Sequence, residues 1–144
     1  MSISTQVANA VVAELKKNMQ KFSIQFEPAM LVLPNFESSE LQTIRVTVVP
    51  RTLEIERNSR NSAKYIVGID IGIQRRIENT PEETVENLGN LVDEIILFLK
   101  STNLSEFHSA QVSSIANDPI YSPEHLQQKR IFTSVLNVKY VLFD

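Results

Sequence analysis

The chain has 144 residues, 42% hydrophobic and 22% charged, with a formal net charge of -3. That size and balance fit one self-sufficient globular domain, 1–144, and exclude a disordered chain. The mild acidity excludes a general nucleic-acid binder, which carries a strong basic excess; with no cysteine there is no disulfide framework and no thiolate metal site.

Residues 3–19 are expected to form a helix. Val7, Val11 and Leu15 recur at every fourth position, with Ala8, Val12 and Met19 beside them. Ser2 or Ser4 can cap its start, and Lys16, Lys17 and Lys21 suit the negative end of its dipole. Residues 22–26 alternate apolar and polar side chains, as a half-buried strand does, and Pro28 breaks the pattern. Residues 30–33 are a second short apolar run closed by Pro34, and residues 35–40 read as a polar turn. Residues 41–49 alternate around Ile44, Val46 and Val48 and predict a strand, ended by Pro50 or placed at an edge by it.

Residues 52–57 alternate again, with Leu53 and Ile55 set against Glu54 and Glu56. A polar loop at 58–63 follows. The clearest strand covers 65–75, with Tyr65, Val67, Ile69, Ile71 and Ile73 on one face. Thr80, Pro81 and Glu83 form a capping box with proline at the first helical position, opening a helix whose stripe is Val85, Leu88, Val92, Ile95 and Leu99. After a connection at 103–107, residues 110–116 read as a strand. The segment 117–123 is a turn-rich loop broken by Pro119 and Pro123, and 124–129 fits a single helical turn. A long last strand covers 131–143, with Phe132, Leu136, Val138, Tyr140 and Leu142 on one face. Strands clustered between two helices, without βαβ spacing, predict an α+β fold: an antiparallel or mixed β-sheet flanked by two main α-helices.

The usual catalytic patterns are missing from the sequence. Val67-Gly68-Ile69-Asp70-Ile71-Gly72 resembles the first phosphate loop of actin-like ATPases, but such enzymes need two large lobes. The glycines instead predict a strand face approached closely by another backbone or a helix, and Asp70 is either buried and paired or turned to solvent or a lumen, with solvent or an interface favoured. His108 and His125 belong to no metal or zincin motif. No Walker loop, G-x-G-x-x-G or G-x-S-x-G occurs. The expectation is therefore no enzyme, no cofactor and no metal. Apolar runs of a few residues fall short of the ~20 that span a bilayer, and no basic n-region precedes an apolar stretch, so a cytoplasmic, membrane-free protein is expected. The basic residues Arg51, Arg57, Arg60 and Lys64 surround one loop, and Arg75 and Arg76 end the next strand; they read as a solvated rim or as a contact with a neighbouring subunit or passing DNA.

Several segments carry a family resemblance in their order along the chain. They are Val46-Thr-Val-Val-Pro50, Glu56-Arg-Asn-Ser-Arg60, Ile69-Asp-Ile-Gly-Ile-Gln74, Asp118-Pro-Ile-Tyr-Ser-Pro-Glu-His-Leu126 and Phe132-Thr-Ser-Val-Leu136. The set, running from about Thr5 to Tyr140, resembles the tail-terminator, or tail-completion, proteins of long-tailed phages and prophages. The resemblance implies a small α+β virion protein forming a ring, commonly a hexamer, on the last ring of the tail tube. Such a ring ends tube growth and joins the tail to the head connector, and DNA passes through it. Its implied partners are copies of itself, the tail tube protein and the head connector, with the virion neck as its final location and host cytoplasm as the place of assembly. The family has no catalytic motif, so no site map carries over. The loops proposed as contact surfaces are Arg57, Arg60 and Lys64 with Arg75 and Arg76, and Asp118, Ile120, Tyr121 and His125. The alternatives are another neck protein, such as a head–tail adaptor or head-closure subunit, or a small ligand-binding or enzymatic domain using Asp70, Asp118 and His125.

Overall fold

The computed structural model describes residues 2–32, 38–77 and 81–143. Its main elements are α1 (Ile3–Lys17), β1 (Glu27–Met30), β2 (Arg45–Ser59), β3 (Ser62–Arg76), α2 (Pro81–Ser101), β4 (Gln111–Asn117) and β5 (Ile131–Phe143). The strands form one mixed sheet in the order β1-β2-β3-β5-β4. β1 runs parallel to β2, and every other neighbouring pair is antiparallel. With two main helices beside it, the fold is α+β.

Alternation in β3 and β5 decides which face is covered. Val67, Ile69, Ile71 and Ile73 on β3 and Phe132, Leu136, Val138, Tyr140 and Leu142 on β5 are all buried. The register places them on one face, Ile71 opposite Leu136 and Ile69 opposite Val138, and β2 adds Val46 and Val48. Both helices lie on this face. α1 buries Val7, Ala8, Val11 and Leu15, and α2 buries Leu88, Leu91, Val92, Ile95 and Leu99, in one cluster with the sheet residues. These are the three- and four-residue spacings of an amphipathic helix. α1 packs over β1, β2 and β3, and α2 over β4 and β5. Ser2 caps α1, its hydroxyl accepting from the Thr5 amide at 3.2 Å.

One buried charge ties the covered side together. Glu14 of α1 accepts the Ser105 amide at 2.8 Å and the Asn18 side-chain amide at 2.9 Å. Burial pushes its carboxyl pKa up, but the hydrogen bonds from Ser105 and Asn18 and the nearby Lys17 charge outweigh it and hold the carboxyl below the usual range. Tyr140 stands close by with its hydroxyl buried and without a hydrogen-bond partner; burial, and then the Glu14 charge, push its pKa up.

The long elements fall where the sequence pattern puts them; the short ones differ for local reasons. Residues 22–26 are not a strand. Phe22 and Phe26 pack edge-to-face at 5.1 Å and Phe22 meets Phe98 of α2 at 5.3 Å. The Ser23 amide and hydroxyl both donate to Glu94 at 2.8 and 2.6 Å, so side chains of α2 take the bonds a ladder would have used. Pro28 does not break a strand but sits buried inside β1, an edge position where a missing N–H is tolerated. Pro50 does not end β2 either. A register shift between Pro50 and Thr52 makes Arg51 a bulge residue, and the two alternating runs become one strand. β2 begins at Arg45, after a short 3-10 turn at Ser38–Gln42. The expected closure at Leu33 and Pro34, most of the turn at 35–40, the Thr80 cap and the Glu83 side chain lie outside the described residues.

The Glu14 anchorage gives a pH prediction. Its folded pKa lies below the unfolded value of about 4.3, so its contribution is complete above that value and is lost as pH falls through the lowered folded pKa. Glu14→Gln puts an NH2 group where one amide donor needs an acceptor, and at pH 7 should cost about 1–3 kcal/mol. In urea melts at several pH values, the gap between wild type and E14Q should close below about pH 4; a gap independent of pH would contradict the role given to the charge.

Candidate assembly surface

The β2–β3 hairpin is much longer than the strand that flanks it, since β1 pairs with β2 only from Arg45 to Val48. Its two-residue turn at Arg60-Asn61 closes on the Ser59–Ser62 pair. Toward this tip, Leu53 and Ile55 stand on the helix side, opposite Val67 and Tyr65. The alternation predicts burial for both, yet Leu53 is 43% and Ile55 59% exposed although Val67, Tyr140 and Leu142 in the same rows are buried, because β1 flanks β2 only from Arg45 to Val48 and leaves its outer side open here. Phe143 at the end of β5 is 58% exposed at the same end, opposite Lys64.

The basic residues separate into two groups. Arg57 and Arg60 are exposed near the tip, and Lys64 lies 4.0 Å from Glu56. Arg75 and Arg76 are half-buried at the other end of β3, roughly 35 Å from Lys64 at strand rise. The antiparallel register therefore excludes a single basic patch. Arg75 donates to the Gln42 carbonyl at 3.5 Å, and Arg76 pairs in register with Ile131.

The proline-rich segment joins that second end. The amide of Asp118 donates to the Val135 carbonyl at 2.9 Å and that of Ser122 to the Thr133 carbonyl at 2.9 Å, so 118–122 runs on beside β5 past the end of β4. Ile120 is 66% exposed. Tyr121 leans toward Phe132 with ring centroids 6.4 Å apart, and with Leu126, Glu82, Val85 and Glu86 it lines a groove of about 340 Å3 against the start of α2. His125 opens the π-helical turn His125–Lys129, and its Nδ1 lies 2.8 Å from the Thr133 hydroxyl. Thus Arg75, Arg76, Ile120, Tyr121 and His125 occupy one end of the sheet, and Arg57, Arg60 and Lys64 the other.

The sheet face away from the helices carries a polar row that sequence reasoning missed. Asp70 accepts Arg51 Nε at 2.7 Å and the Asn137 side-chain amide at 2.7 Å, linking β2, β3 and β5. Asp70 is thus a paired residue with a side chain only 20% exposed, the alternative that the sequence reading ranked below solvent or an interface. Asn137 gave no signal, since nothing in a single strand names its cross-strand partner. Gly68 and Gly72 lie on the same face. Side chains at these positions would meet the hydroxyls of Thr52 and Thr47, not a backbone or a helix, so the close approach comes from neighbours within the sheet.

Asp70, Asp118 and His125 are held at three successive levels of β5, those of Asn137, Val135 and Thr133. Asp70 and His125 are therefore roughly 13 Å apart along the strand direction. Among the described residues no three His, Asp or Glu side chains gather to hold a metal ion, and no helix is long and apolar enough to cross a membrane. No family model and no curated protein matches the chain.

If Leu53 and Ile55 lie outside the core of the single chain, Leu53→Thr and Ile55→Thr should each change unfolding free energy by less than about 0.5 kcal/mol. Urea titration of the unassembled chain checks this; a loss above about 2 kcal/mol would place them in the core.

Proposed function

We propose that the chain is a virion structural protein, a tail terminator that forms a ring at the head-proximal end of a phage tail tube. The ring ends tube growth and joins the tail to the head connector. The ordered segments that resemble this family support the reading, and so does the α+β fold. The single structural observation that carries it is the stretch of β2 beyond β1, which leaves Leu53 and Ile55 exposed on the helix side of the sheet. Apolar side chains of this size at one end of a sheet suit a surface buried by assembly.

The mechanism is surface complementarity without covalent chemistry. A ring arises when one patch of each copy meets a different patch of the next and the rotation closes. The two ends of the sheet would then serve two axial partners. The proline-bounded end offers Ile120 and Tyr121 as anchors, since aromatic side chains are enriched at interface centres. The tip offers Arg57 and Arg60, whose charge suits DNA passing through the ring. Assembly would take place in host cytoplasm and end in the virion neck.

The direct test is assembly. Purified chain, alone or with tail tube protein, should give closed rings in electron micrographs and a matching mass, and the rings should cap tube ends. A chain that stays monomeric in both conditions would remove the terminator reading. Rings that bind the connector but never the tube would favour another neck protein.

A further inference from the structure

Besides the outer edge of the four-residue β1, two strand edges of this sheet lack a neighbouring strand among the described residues, and these two match each other. β1 pairs with β2 only from Arg45 to Val48, and the Leu31 amide closes that contact on the Val48 carbonyl. Beyond Val48 no described strand lies along β2, and residues 51–57 are all exposed. On the far side of the sheet β4 is the last strand.

The two edges stand at the same height. Reading across the register, Thr52 lies in row with Gly68, Lys139 and Ser114, and Glu54 with Ile66, Val141 and Gln111. β4 therefore spans the stretch of β2 that begins where β1 stops. Polarity matches as well. β2 and β5 point the same way and β4 points against them, so a second copy in the same orientation would bring its β2 antiparallel to this β4. The faces agree too: Val112 and Ile115 lie on the helix side of β4, as Leu53 and Ile55 do on β2.

The residue types favour closure. A free edge is normally protected by charge, proline or shortness. β1 is four residues long and contains Pro28. β4 is seven residues, Gln-Val-Ser-Ser-Ile-Ala-Asn, with no charge, glycine or proline, and its one protecting device is a bulge at Ser113. Glu54, Glu56 and Arg57 on β2 would face no like charge across it. We infer that β4 of one copy pairs antiparallel with residues 49–54 of β2 in the next, continuing the sheet from copy to copy and covering the open edge at Leu53. This rests on the ring reading and supplies its interface.

The chain has no cysteine, so paired cysteines test the contact directly. Thr52 and Ser114 are three strand spacings apart within one chain, roughly 14 Å, too far for an internal disulfide. Double variants combining T52C or E54C with Q111C or S114C would be assembled and oxidised with copper phenanthroline. The expected result is a ladder of disulfide-linked multimers ending at the ring size, strong for at least one of these same-face pairs and weak for the opposite-face control L53C with S114C. Rings that form normally yet give no linkage above the control would overturn the edge pairing and leave the ring reading standing. Linkage only to added tube protein carrying a cysteine would overturn it equally, by giving the edge another occupant. Monomers throughout, from folded variants, would overturn both.

Discussion

Everything in this molecule depends on a sheet whose two helices cover one face only. The period-two alternation of β3 and β5 commits Val67, Ile69, Ile71, Ile73, Leu136, Val138 and Tyr140 to the helices, and a slip of one residue would turn all of them outward. Because that apolar set is long and continuous, the register is strongly specified. Because the other face carries Thr47, Asp70, Gly72, Gln74 and Asn137, no second helical layer is demanded. The Arg51–Asp70–Asn137 row shows how that face is kept ordered without a cover: cross-strand polar bonds replace packing.

The covered side is held at its joints by side-chain bonds. Glu14 fastens the end of α1 to the connection before β4, and Glu94 of α2 fastens the chain just after α1. Both are carboxylates accepting backbone amides, and such charge-assisted bonds are stronger than neutral ones. They fix the two helices relative to each other where Phe22, Phe26 and Phe98 meet. The strands under this clamp become a firm platform, and the parts that extend past it, the hairpin tip and the β4 edge, are the parts left for other molecules.

Long periodic elements were legible in the sequence because one residue pattern decides each of them. α1, β3, α2 and β5 needed only the spacing of Val, Ile and Leu. Pro28 misled because proline reads as a stop, while an edge strand accepts it; Pro50, read as a stop or an edge marker, stands where β2 loses its β1 neighbour. The 22–26 segment misled because Phe22, Ile24 and Phe26 alternate like a strand, although aromatic packing and Glu94 bend the chain. The candidate surface was half legible. Proline spacing marked 118–123, and the arginines marked the hairpin, but their separation to opposite ends follows from strand register, which no local pattern prints. Leu53 and Ile55 looked like ordinary buried strand positions; they are exposed because β1 ends at the Val48 level and leaves the outer side of β2 open.

The central claim is that the two unpaired edges of the sheet complete each other between copies. Amide hydrogen exchange of the full chain, compared between dilute and assembled protein, tests it most directly. The account predicts that the outward-facing amides of residues 111–117 and 49–54, those not bonded to β5 or β3, exchange fast in the dilute chain and become protected together on assembly, while β3 and β5 are protected in both. Assembly that leaves both edges in fast exchange would contradict it.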